Sequence, residues 1–197
     1  MELFLCRHGQ TEHNDKGIVQ GQMESKINRK GKEQAKKLRD RLAEEDISKI
    51  YSSSMTRAIE TAKIVSEPHN LDIEESEELK EVARAKFEGE RFEDLIAEIS
   101  NSETEDYLWK PEGGESLEEL KERGVKFLNR IKEKHEEERI VIVSHGGTIS
   151  SILLGILAHS AKNSYRISQE NCSMNRLNWN AEKGWAIHSV NDVSHLN

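Results

Sequence analysis

Leu3-Phe4-Leu5-Cys6-Arg7-His8-Gly9 is an apolar run that stops on an arginine, a histidine and a glycine. The same arrangement returns at Val141-Ile142-Val143-Ser144-His145-Gly146-Gly147. A short apolar run that ends on glycine reads as a buried strand. Each of these strands then delivers a histidine at its carboxyl end, one of them with an arginine beside it. Ligands of open α/β sheets collect at the carboxyl ends of strands, so two such ends can meet in space although they are far apart in the chain. An arginine and two histidines meeting there would make an anion site that contains a nucleophile.

Working outward, strand-like runs also occupy Ile47–Tyr51, Leu71–Glu74, Ser173–Trp179 and Trp185–Val190. Helical spacing separates the first four runs. Ala35, Leu38 and Leu42 share one face, as do Ala58, Ala62 and Val65. A longer helix starts near Ser116, with Leu117, Leu120, Gly124, Phe127 and Ile131 on one stripe and Glu119 completing a capping box. Alternating β and α units imply a three-layer α/β/α sandwich around a mostly parallel sheet. The last two strands follow one another without a helix, which puts an antiparallel strand at the edge. One domain over residues 1–197 is expected, with a polar, irregular, cap-like region around 82–112 that is read as mobile and partly helical. Asn191–Asn197 reads as a surface tail.

Composition narrows the function. The 197 residues carry a formal net charge of -8 and 34% of them are charged. An acidic chain is a poor partner for nucleic acid or an anionic membrane, both of which select basic faces. The two cysteines, Cys6 and Cys172, lack metal-ligand spacing and fit free thiols in a reducing cytoplasm. The amino terminus lacks the basic and apolar pattern of a signal peptide, and Ile149–Ala158 is too short to span a bilayer. No zinc, EF-hand, Walker or dinucleotide motif occurs. A cytoplasmic protein without metal or cofactor is expected.

His8 ends its strand next to Gly9, which permits close backbone approach. A neutral imidazole is a good nucleophile toward phosphorus, and Arg7 would both bind phosphate and keep His8 neutral. A second arginine stands in Tyr51-Ser52-Ser53-Ser54-Met55-Thr56-Arg57-Ala58. The serines read as helix N-caps, so Arg57 falls in a first turn, where the dipole disfavours a cation. A bound anion explains that placement better than helix stability does. His145-Gly146-Gly147 offers amides at a helix start. His-Gly-Gly also occurs in esterase oxyanion loops, but the Gly-x-Ser-x-Gly elbow of that fold is missing. His13, His69, His135, His159, His188 and His195 are scattered and read as surface residues.

Together these motifs resemble the histidine phosphatase superfamily, the phosphoglycerate mutase-like proteins, over nearly the whole chain. The resemblance rests on Arg7-His8-Gly9-Gln10-Thr11-Glu12-His13-Asn14, Gln20-Gly21, Gly31, Gln34-Ala35, Ser52-Ser53 through Thr61-Ala62, Leu79-Lys80-Glu81, Phe87-Glu88-Gly89, Gly113 to Ser116 and Ser144 to Gly147. It implies that His8 becomes phosphohistidine and that Arg7, Arg57 and His145 hold the equatorial oxygens. It also implies Glu81 as acid and then base, and Thr11, Asn14, Gln20, Gly21, Arg84 and Gly146 as phosphate or substrate contacts. The implied substrate is a small phosphorylated metabolite, and a homodimer is left open. Ala85 replaces a glycine usual after the acid, and Arg84 stands where glycolytic mutases carry tyrosine. An insertion by which those mutases hold a second phosphate is also missing. These departures favour phosphatase over its rivals, a cofactor-dependent phosphoglycerate mutase and a phospholigand-binding domain without turnover.

Overall fold

The computed structural model describes all of residues 1–197. Six strands form one sheet: β1 (Glu2–Arg7), β2 (Lys49–Ser53), β3 (Ile73–Ser76), β4 (Arg139–Ser144), β5 (Met174–Asn180) and β6 (Gly184–Asp192). Their order is β3-β2-β4-β1-β5-β6. The pairs β2–β3, β2–β4 and β1–β4 are parallel, while β5 runs antiparallel to β1 and to β6. The helices are α1 (Glu12–Lys16), α2 (Arg29–Leu42), α3 (Thr56–Ser66), α4 (Phe92–Ser100), α5 (Leu117–Lys132) and α6 (Gly146–Ile156).

Strand alternation explains the two apolar runs. Side chains along a strand point to opposite faces, so a strand covered on both sides must be apolar throughout. Leu3 and Leu5 pack with Ile140, Ile142, Phe127 and Ile152 beneath α5 and α6. Phe4 and Cys6 pack with Val141, Val143, Leu38 and Ala62 beneath α2 and α3. The sandwich therefore has three layers. Gly124 on the α5 stripe is a contact point, because a Cβ there would lie 2.5 Å from Ile152 Cγ1. Ser116 and Glu119 form the expected capping box on α5.

The region around 82–112 contains a one-turn 3-10 segment at Ala85–Phe87 and all of α4. It closes over a small apolar cluster of Val19, Phe87, Leu95 and Trp109. No helix is long and apolar enough to cross a membrane.

Three local expectations need correction. The N-cap of α3 is Met55, not a serine, and it has no side-chain cap bond. The exposed amide of Thr56 instead donates to Glu24 Oε2 at 3.0 Å, a long-range cap that leaves the serine hydroxyls for other partners. The terminal residues lie at the surface, none of them buried, but they are ordered and not a tail. β6 runs to Asp192, a 3-10 turn covers Ser194–Leu196, and Leu196 packs against the α2–α3 core. Finally, surface placement fits His159 and His188, whereas His13, His69, His135 and His195 are half-buried. His135 meets Tyr51 Oη at 2.9 Å, and His195 Nε2 meets the Cys172 carbonyl at 3.0 Å.

Candidate active site

Parallel pairing brings the two histidine-bearing ends together. Arg7 of β1 is in register with Ser144 of β4, and the His8 amide donates to the Ser144 carbonyl at 3.0 Å. The rings of His8 and His145 lie 5.1 Å apart between centroids. Two glycines allow the His8 loop to sit this low. A Cβ on Gly9 would approach the Gly31 carbonyl to 2.6 Å, and one on Gly31 would approach the Gln10 carbonyl to 2.2 Å. The start of α2 is thus wedged against the loop that carries His8.

The tautomer of His8 follows from its partner. Nδ1 lies 2.8 Å from the Gly9 carbonyl, which can only accept, so Nδ1 carries the hydrogen. Nε2 is left with its lone pair and no protein partner, and His8 lines a cavity of about 880 Å³. Burial first, then the charges of Arg57 and Arg7, push the His8 pKa well below its usual 6.5. A buried, neutral imidazole with one free lone pair results.

Arg57 is almost fully buried, at 1% exposure, and every arm of its guanidinium is held. Nε donates to His145 Nδ1 at 3.2 Å, Nη1 to the Met23 carbonyl at 2.9 Å and Nη2 to the Gly21 carbonyl at 2.8 Å. Burial lowers its pKa to about 10, which still leaves it charged at neutral pH. Arg7 donates through Nη1 to the Gln169 carbonyl, while its Nε is buried with no acceptor. Arg84 is 8% exposed, lines the same cavity, and its guanidinium makes no hydrogen bond or ion pair in the protein. Buried charges without counter-ions are costly unless a ligand completes them. Two unsatisfied guanidinium groups beside a bare imidazole are what an anion would complete.

Glu81 enters from the segment after β3. Its Oε1 accepts from the Val82 amide at 2.9 Å and from Thr148 Oγ1 at 3.3 Å, and its Oε2 accepts from the Gly147 amide at 3.1 Å. The start of α6 therefore holds this carboxyl on the cavity wall, next to Gly146, which also lines the cavity. Asn14, Gln20 and Gly21 line it as well. Asn14 Oδ1 takes bonds from the Thr11 amide and from Asn171, so its Nδ2 is left free.

Two residues stand away from where the sequence put them. Thr11 is fully buried and off the cavity wall, where its hydroxyl caps α1 and meets Gln20 Oε1 at 3.0 Å. Thr11 holds Asn14 and Gln20 in place and does not face the cavity. His145 is also off the wall, with Nδ1 taken by Arg57 and Nε2 lying 2.8 Å from Ser53 Oγ. In this arrangement its contact is with Arg57.

Several contacts of the site went unread in the sequence, although Ser53 and Glu88 stood in its motifs. Ser53 orients His145, Gln22 Nε2 donates to the Glu81 carbonyl at 3.0 Å, and Glu88 Oε1 accepts from the Gln22 and Arg84 amides. Arg123 braces the same loop through the Lys80 carbonyl at 3.0 Å and an ion pair with Glu115. Each acts through a contact between distant segments, which no local pattern records. One signal was readable: Phe92, Leu95, Ile96 and Ile99 repeat at helical spacing, and all four line the cavity. No group of three or more His, Cys, Asp or Glu side chains is placed to hold a metal ion.

Comparison with known proteins places the chain in a family. A family model described as the histidine phosphatase superfamily (branch 1) matches residues 3–193. Phosphoglycerate mutase-like protein 4 of Arabidopsis thaliana is 34% identical over 99% of this chain and 86% of its own length. The metal-independent phosphoserine phosphatase of the same plant is 33% identical over 99% of this chain and 83% of its own. Among solved structures, Bacillus stearothermophilus YhfR superposes with a TM-score of 0.91 at 25% identity, covering 100% of this chain and 99% of that one.

Proposed function

We propose, since this chain belongs to the histidine phosphatase superfamily and is a phosphomonoesterase acting on small phosphorylated substrates, that hydrolysis passes through a phosphohistidine on Nε2 of His8. The observation that carries this reading is the free Nε2 lone pair of a buried, neutral His8 between Arg7 and Arg57. The lone pair attacks phosphorus, an N–P bond forms and the ester P–O bond breaks. The Glu81 carboxyl gives its proton to the departing alkoxide. Glu81, now a carboxylate, takes a proton from water as the water oxygen attacks phosphorus, and the N–P bond breaks to return His8 and release inorganic phosphate.

Arg7 and Arg84 face the phosphate oxygens with their free donors, Arg57 adds its charge from the cavity wall, and Asn14 adds an amide hydrogen. Their positive field stabilises the transferring phosphoryl group without a metal ion. His145 acts through Arg57, whose Nε it holds. Every residue named comes from one chain, so the site needs no second copy. The acidic surface keeps nucleic acid out of this reading, and the buried, unpaired Cys6 and Cys172 thiols fit a cytoplasmic setting.

The test is phosphate release from p-nitrophenyl phosphate by the wild-type chain and by His8→Ala, each with and without EDTA. Turnover should be insensitive to EDTA, and His8→Ala should lower it at least a thousandfold, the order seen when a nucleophile is removed. Turnover retained by His8→Ala would assign the nucleophile elsewhere.

A further inference from the structure

The cavity is much larger than its phosphate end. Arg7, His8, Arg57, Glu81 and Arg84 surround one phosphoryl group, yet the space they open into totals about 880 Å³. Pockets that bury whole drug-sized ligands span a few hundred to a thousand Å³. The remainder is walled by apolar side chains together with polar ones, Ser100, Ser150, Ser164, Ser168 and Gln169 among them. α4 presents Phe92, Ile96 and Ile99 to it, and Leu117, Tyr165 and Ile167 line it as well.

The apolar face of α4 is only partly used by the fold. Phe92, Leu95, Ile96 and Ile99 recur at i, i+3, i+4 and i+7, and the polar residues Glu93, Asp94 and Glu98 take the other side. Leu95 seats in the cluster of Val19, Phe87 and Trp109, with Ile99 packed against it. Phe92 and Ile96 stay 55% and 44% exposed on the same face, where they border the cavity. Apolar side chains held open beside a catalytic cavity offer burial to whatever enters it. The one lining carboxylate besides Glu81 is Asp106, which comes from the segment after α4 and would repel a second anion on that side.

We infer that the substrate is a phosphomonoester of an apolar alcohol, with its phosphate at His8 and its hydrocarbon or aromatic body between α4 and Tyr165. The inference rests on the phosphohistidine reading above. It separates this chain from an enzyme built for phosphoserine or another three-carbon acid phosphate, whose leaving group would leave the apolar half of the cavity empty. The reaction is unchanged: the N–P bond forms, the P–O bond breaks, and the apolar alcohol leaves with the proton from Glu81.

The experiment is a series of n-alkyl phosphates, from ethyl through butyl and hexyl to octyl, assayed by phosphate release below their micelle concentrations. Their alcohols differ little in acidity, so kcat/KM reports contact with the alkyl chain and not leaving-group chemistry. Full burial of one methylene is worth about a fourfold gain, and a half-open cleft should give about twofold per carbon until the space is filled. Hexyl phosphate should exceed phosphoserine, and Ile96→Ser and Phe92→Ser should each cut the octyl-to-ethyl ratio several-fold. Ile96 and Phe92 are exposed enough for both variants to fold.

A flat or falling series, or a ratio that neither variant changes, would overturn the inference. So would a flat series in which Ile96→Ser instead weakens self-association, because the α4 face would then serve a second copy. In those cases His8 would still become phosphorylated. Failure to hydrolyse any ester, or hydrolysis without phosphate on His8, would remove the phosphohistidine reading and the inference with it.

Discussion

Arg57 stands at the second position of α3, where the helix dipole opposes a cation, and four carbonyl, hydroxyl or ring acceptors keep it there. Its placement against local preference was readable in the sequence. The partner that orients it, His145 bonded to Ser53, was not, because those residues meet only once β2 and β4 pair. Arg57→Ala should lower kcat/KM by about a hundredfold through loss of its positive charge beside the phosphoryl group, and steady-state kinetics check it. Arg7 also sets the pH response. Its charge helps to depress the His8 pKa, so wild-type activity should persist on the acid side well below pH 6.5. Removing that charge in Arg7→Ala should let the His8 pKa rise, moving the acid limb of the single-turnover profile upward; an unmoved or lowered limb would contradict the account. Ala85 is the residue where the sequence departed from the family's glycine, and it has φ 48°, in the left-handed region. Ala85→Gly should therefore stabilise the fold by about 1 kcal/mol in denaturant titration, since glycine adopts that region without the Cβ clash.

At the scale of elements, the six strands and the helices over residues 29–42, 56–66 and 117–132 were legible because their apolar spacing is regular. The ends were less so. The cap of α3 comes from Glu24, more than thirty positions away, and the chain end docks because Leu196 finds the α2–α3 core. The contact of α2 with the histidine loop was likewise hidden, although Gly9 and Gly31 both stood out in the sequence. Gly31→Ala should destabilise the protein by about 1–3 kcal/mol through overpacking. It should also slow phosphoryl transfer, because its Cβ would press on the Gln10 carbonyl beside the His8 loop. Thermal unfolding and single-turnover rates measured on the same variant separate the two effects.

For the whole molecule, the site is a buried electrostatic device that makes stability depend on pH. His8 and His145 are both buried, and burial together with Arg57 pushes both pKa values well below 6.5. Unfolded, they bind protons near pH 6.5; folded, they do not. The unfolded state therefore takes up more protons as pH falls below 6.5, and folding stability declines through that window down to the native pKa values. Two such groups give a slope of up to about 2.7 kcal/mol per pH unit. His8→Asn should remove about 1 kcal/mol of the loss between pH 6.5 and 5.5 in urea titrations, whereas an unchanged slope would mean His8 is protonated in the fold. The central claim, that Nε2 of His8 is the nucleophile, is tested most directly by trapping the phosphoenzyme at alkaline pH and locating the phosphate on the ring by ³¹P–¹H and ¹⁵N NMR. Phosphate should sit on Nε2 of His8 alone, with Nδ1 still protonated toward the Gly9 carbonyl; phosphate on Nδ1, on His145 or on a serine would assign the nucleophile elsewhere.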